Sequence, residues 1–163
     1  MTSLAPVVIA AAALALAPLD VQPRPDFSGS WTLDRDRSES PQQSDTFEPT
    51  VVVITQSATE VTIETHHGND TTRSVYPLAA DAVPPAPNAV IGSARAFWDG
   101  AALVTEGVRT IQGQTVSMRE TRSLEPNGRD MTVKSLLVVQ HGYTLRGAQN
   151  YGAATDVYVR TPR

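Results

Sequence analysis

Four charged side chains, Arg95, Glu106, Glu120 and Arg122, stand in segments whose apolar and polar residues alternate as they do in β-strands. Hairpin geometry is expected to bring all four to one apolar face. An isolated charge on such a face is costly to bury, so the four must pair with one another, reach a rim, or meet water or a polar ligand. One reading is a ligand-facing polar patch that offers Arg122 or Arg95 to an anionic group. The alternative is a structural network in which the charges satisfy each other. Glu106 and Glu120 on a common face could also act as general acid and base. No motif supports that role, because the chain has no Gly-x-Ser-x-Gly, no phosphate loop and no dinucleotide fingerprint. No enzymatic activity, catalytic residue or cofactor is therefore expected.

Metal chemistry finds little support. His66 and His67 are adjacent at a strand end, so their side chains diverge, and His141 lies in a turn. Asp26, Asp34 and Asp36 lack the loop glycine and terminal Glu of a calcium loop. The chain has no cysteine, which excludes disulfides, thiolate metal sites, a cysteine nucleophile and a lipid anchor on an N-terminal cysteine.

The elements that position these residues read as strands almost throughout. Candidate strands cover 29–34, 50–56, 59–66, 70–78, 94–98, 102–110, 115–124, 129–140, a short piece at 143–146, and 156–161. They are rich in Val, Ile, Thr and Tyr. Turn signals separate them at Gly68-Asn69, Asp99-Gly100, Asn127-Gly128 and His141-Gly142. Two stretches are irregular: 35–49 is polar, and 79–92 contains Pro84, Pro85 and Pro87, which rules out a central strand. Regular short strands joined by hairpins predict an all-β fold, an antiparallel meander of about eight to ten strands that forms a β-barrel or a sandwich.

The Asn127-Gly128 turn sets the best-defined register. A two-residue loop there opposes Leu124 to Met131, Arg122 to Val133, Glu120 to Ser135, Met118 to Leu137 and Val116 to Val139. One face then collects the apolar residues, and the other carries Thr115, Ser117, Arg119, Thr121 and Ser123. For the preceding turn, a three-residue loop with Gly113 left-handed opposes Val108 to Val116 and Glu106 to Met118. A two-residue loop would instead face Val104 with Thr121, and apolar matching favours the three-residue form. The Asp99-Gly100 turn carries Arg95 and Phe97 onto the same face as Glu106.

Length and composition set the outer limits. The chain has 163 residues, enough for one domain with a real core, and a net charge of −4. Its basic residues are all arginine except Lys134 and form no cluster, so no nucleic-acid partner is expected. Residues 4–19 form an apolar run too short to span a bilayer comfortably, followed by small-residue cleavage options. No Lys or Arg precedes the run. The expected organisation is a signal peptide over 1–15, a linker over 16–26 and a β-barrel domain over 27–163. That organisation predicts a periplasmic or secreted protein with no stable membrane insertion after cleavage. A membrane-spanning barrel would need an apolar outer belt, which the Thr115 to Ser123 face does not supply.

The segment Phe27-Ser28-Gly29-Ser30-Trp31-Thr32-Leu33 resembles the first strand of calycins, the superfamily of lipocalins, fatty-acid-binding proteins and avidins, through its Gly29-x-Trp31. The resemblance implies a barrel plugged at one end by Trp31, with Arg160 of the last strand packed over it. The ending is also similar to the terminal strand of fatty-acid-binding proteins, where an Arg and a Tyr meet a ligand carboxylate. Tyr158 and Arg160 are two residues apart and share a face. Residues from about 27 to 163 are further similar to small secreted bacterial proteins with an Asp-Phe-Ser-Gly-x-Trp opening and an internal Trp-Asp-Gly, here Trp98-Asp99-Gly100. The expected function is binding of a small amphipathic or anionic molecule inside the barrel, with Arg95, Glu106, Glu120, Arg122 and Tyr158 as ligand residues and Gly29, Trp31 and Arg160 as structural ones. The alternative is a structural or protein-interaction domain with a filled core. The sequence does not define an oligomeric state.

Overall fold

The computed structural model describes residues 24–40, 48–79, 91–111, 113–140 and 150–162. Nine strands follow one another: β1 (Gly29–Asp34), β2 (Thr50–Gln56), β3 (Glu60–His67), β4 (Asp70–Pro77), β5 (Ala94–Asp99), β6 (Ala102–Ile111), β7 (Gln114–Leu124), β8 (Asp130–Gln140) and β9 (Asn150–Arg160). A 3-10 turn follows β1 at Arg35–Arg37, capped by the Asp34 carboxylate. The expected leader over 1–15 and the short strand at 143–146 lie outside the described residues.

All pairings between strands are antiparallel, and the sheet order is β4-β3-β2-β1-β9-β8-β7-β6-β5. Consecutive strands are neighbours from β1 to β4 and from β5 to β9, and β1 also joins β9, which curls the meander into a barrel. Closure is nearly complete: Leu78, just past β4, makes a parallel bridge to Ala96 of β5. This is the all-β antiparallel meander that the strand pattern predicts, closed into the barrel that the resemblance implies.

Register decides what faces inward. Between β7 and β8 the pairs are those expected, Leu124 with Met131 and Arg122 with Val133 among them. The loop is longer than two residues, because Glu125 still bonds Asp130 across it and Gly128 donates back to Glu125 at 2.8 Å. Lengthening a loop by one residue on each side leaves the pairing unchanged. Between β6 and β7 the expectation fails. Ile111 pairs with Gln114 and Val104 with Thr121, so the connection has two residues, not three. Gly113 takes φ +78°, as that tight turn requires. A one-residue slip reverses the faces of a strand. Leu103, Thr105 and Gly107 therefore share the inner face, while Val104, Glu106 and Val108 share the outer face with Arg119 and Thr121.

The core gathers at one end of the barrel. Phe27, Trp31, Leu103, Val61 and Met131 are fully buried, with Val52, Ile54, Ile63, Ala96, Trp98 and Val133 around them. The Trp31 indole donates to the Phe27 carbonyl at 2.9 Å, and the Phe27 and Trp98 rings lie 6.1 Å apart. The Arg160 guanidinium lies 4.2 Å over the Trp31 ring and donates to the carbonyls of Ser28, Gly128 and Asp26. Gly29 makes this possible: it takes φ +137°, and a Cβ there would come within 2.8 Å of Arg160 Nη1.

Candidate functional site

The interior is not filled. Beyond the core lies a cavity of about 500 Å³, within the range of small-molecule sites. Its floor is the upper surface of the core, Val52, Ile63, Met131 and Val133, and β3 and β4 contribute Thr65, Thr72, Ser74 and Tyr76. The opposite wall is polar: Glu120 and Arg122 from β7, Ser135 from β8, and Asp156 and Tyr158 from β9. The exposed residues Val75, Gly92, Ser93 and Arg109 border it where β4 and β5 separate.

The polar wall follows from three cross-strand rows. Leu103, Arg122, Val133 and Asp156 oppose one another in turn across β6, β7, β8 and β9. Thr105, Glu120, Ser135 and Ala154 form the next row, and Met131 pairs with Tyr158 beside them. Arg122 is only 4% exposed. It donates through Nη1 to the Thr105 hydroxyl at 2.8 Å and through Nη2 to the Glu120 carboxylate. Its Nε–H is buried and finds no acceptor. The Asp156 carboxylate accepts the Ser40 backbone N–H at 3.0 Å. That contact forms because residues 38–40 run on beside β9: the Ser38 hydroxyl bonds both the amide and the carbonyl of Val157, and Glu39 N–H donates to Thr155. Burial pushes the Tyr158 hydroxyl well above the ordinary phenol range, reinforced by Asp156 and Glu120 and opposed by Arg122. Tyr158 therefore stays a protonated donor.

The sequence-predicted residues divide into two groups. Glu120, Arg122 and Tyr158 come together in the cavity. Arg95 and Glu106 are a correction: they lie on the outer face, on the far side of the sheet from Glu120 and Arg122. There Arg95 Nη2 meets the Glu106 carboxylate at 2.6 Å and Arg119 Nη1 approaches it at 3.3 Å. Arg95 and Arg119 also stand over the Phe97 ring, at 5.3 and 5.7 Å. Their stems cover an apolar residue that would otherwise face water, and that covering hides the outer character of the strip from a simple polarity count. Placing Glu106 and Glu120 on opposite faces also removes them as an acid–base pair. Gly29, Trp31 and Arg160 meet at the closed end, so Arg160 serves the Trp31 cap and Tyr158 alone of the terminal pair reaches the cavity.

Sequence reasoning did not single out Asp156 or Ser135 of the polar wall, nor Thr105, which bonds Arg122 from the inner face of β6. Asp156 was within reach of it, since it lies two residues before Tyr158 and so shares its face. Thr105 depends on the β6–β7 register and carried no signal of its own. The histidines make local contacts: His66 Nδ1 bonds the Thr71 hydroxyl and His67 Nδ1 the Thr50 hydroxyl, each at 3.0 Å. Among the described residues no three His, Asp or Glu side chains stand close enough to hold a metal ion, and no helix is long and apolar enough to cross a membrane.

A nearly closed meander barrel with Trp31 on its first strand, Arg160 of its last strand over that ring, and a cavity above is the arrangement that the resemblance to calycins implies. Among solved structures the chain is similar to apo lipid binding protein 8 of Caenorhabditis elegans, at 11% identity over 83% of this chain and 95% of that one, TM-score 0.48. It is similar to the fluorescent protein UnaG at 15% identity, covering 84% and 97%, TM-score 0.46. It is also similar to a REP1-NXSQ fatty acid transporter at 12% identity, covering 83% and 96%, TM-score 0.42. No protein-family model matches the sequence, and no curated protein matches it.

Proposed function

We propose that this protein is an exported binding barrel for a small, largely apolar molecule carrying one polar group. The observation that carries the reading is the cavity of about 500 Å³ with apolar residues on its floor and a compact polar wall at Glu120, Arg122, Asp156 and Tyr158. Apolar floor and wall residues give a ligand area to bury, and the polar groups fix its orientation. A filled structural core, the competing reading, leaves no room of this size. Export rests on the sequence of residues 1–15.

Native mass spectrometry of full-length protein purified from its own host tests the reading. A retained adduct on the order of a few hundred daltons is the expected result. Bare polypeptide in every preparation, together with no saturable uptake of the neutral dye Nile red, overturns it. The same spectra read the start of the chain: a mature protein beginning at Leu16 supports export, and an intact leader on protein from the cytoplasmic fraction refutes it.

A further inference from the structure

The charge balance of the polar wall points to a particular head group, an inference that rests on the ligand reading above. Two carboxyl groups, Glu120 and Asp156, face the cavity beside one guanidinium, Arg122. Arg122 is already engaged by Glu120 and Thr105. Asp156 is 6% exposed and is met by a backbone amide rather than by a cation. Arg109 also borders the cavity, but it is exposed and screened by water. The carboxylate of an incoming anion would therefore be a third acidic group around a guanidinium whose charge is already matched. Like charges in a partly desolvated site oppose each other strongly.

The donors and acceptors point the same way. Arg122 Nε–H is buried without an acceptor, an orphan that costs free energy until something accepts from it. Glu120 and Asp156 supply carboxylate oxygens that can only accept. A group that completes this wall must accept from Arg122, donate to a carboxylate and bring no charge. A hydroxyl does all three. We infer that the cavity takes a lipophile whose head group is a neutral hydroxyl, an alcohol rather than a fatty acid, and that it selects against the carboxylate of the same chain.

Competition for Nile red on delipidated full-length protein tests this, with dodecan-1-ol and dodecanoate as probes. The alcohol should displace the dye at a concentration about tenfold or more below that of the acid. Asp156→Asn removes one of the two carboxylates and should shift the preference about tenfold toward dodecanoate relative to dodecanol. Glu120→Gln removes the other and should do the same by freeing the charge of Arg122, which keeps the test open if one variant fails to fold. Equal or tighter binding of dodecanoate by the unmodified protein overturns the head-group inference and leaves the ligand reading standing. Failure of the dye and both probes to bind overturns the ligand reading itself.

Discussion

Arg160→Leu should be among the most damaging single changes outside the apolar core. The Arg160 side chain joins three separate pieces of the molecule. Its Nη1 donates to Ser28 at 2.7 Å, Nε to Gly128 at 3.2 Å and Nη2 to Asp26 at 3.4 Å, while the guanidinium plane covers Trp31 at 4.2 Å. A short charge-assisted bond contributes about 1.5–3 kcal/mol, and longer, partly exposed ones contribute less. The cation–π contact adds about 0.5–2 kcal/mol. The combined loss is about 2–4 kcal/mol, which for a domain of this size lowers the melting temperature by about 6–15 °C. Arg160→Lys should recover less than half, because an ammonium is a single point and cannot span three carbonyls and a ring. Thermal melts followed by near-ultraviolet circular dichroism would read both the stability and the packing of Trp31. Gly29→Ala supplies an internal check: its Cβ collides with Arg160 Nη1, so its cost should fall in the Arg160→Leu background, with a remainder from the φ of +137°. An Arg160→Leu melt within about 2 °C of wild type, or full rescue by Lys, would refute the reasoning.

Other perturbations test other parts of the structure. Trp31→Phe breaks the indole bond to Phe27 and should cost about 1–3 kcal/mol, whereas Trp98→Phe removes a buried N–H that has no acceptor and should cost clearly less in urea titrations. Arg122→Leu leaves Glu120 unpaired in the barrel and should cost about 3 kcal/mol, while the double change with Glu120→Leu should regain much of that loss. Arg37 holds the carboxyls of Asp34 and Asp130 below their ordinary range by hydrogen bonding to both. Their contribution is therefore present above the usual carboxylate pKa and is lost as pH falls through the lowered values. Asp130→Asn should destabilise the protein at neutral pH, and its gap from wild type should close under acid; a gap independent of pH would contradict the pairing.

How far the fold could be read from sequence depended on how many independent signals met at each hairpin. At β7 and β8 the turn residues and the polar alternation of Thr115, Ser117, Thr121 and Ser123 agreed, so the register survived an error in loop length. At β6 they did not. Leu103 is apolar and inward, but Val104 and Val108 on the opposite face are apolar and buried too, so hydrophobic matching favoured the wrong register. The glycine at 113 did not decide between the two registers, because a left-handed residue there serves a three-residue loop as well as a two-residue one. The first half of β9 was missed for another reason. Gly152, Ala153 and Ala154 have weak strand preference and are extended because Leu137, Leu136 and Ser135 of β8 pair with them.

That one slip at β6 also decides the chemistry of the interior. In the three-residue register the cavity would hold Arg95, Glu106, Glu120 and Arg122, two cations against two anions. In the observed register Arg95 and Glu106 leave together as a pair. Thr105 takes their place on the inner face of β6 as a neutral acceptor for Arg122. On the other side of the site, Asp156 arrives with Tyr158 on a strand whose face was never in doubt. The pair leaves without changing the net balance, and Asp156, which faces the cavity in either register, gives the wall its excess of one carboxyl group. What the tight turn at Gly113 removes is the second guanidinium: with Arg95 outside, Arg122 is, among the described residues, the one buried cation of the wall, already engaged by Glu120 and Thr105. A ligand assignment in a β-barrel is therefore only as secure as the register of its least certain hairpin.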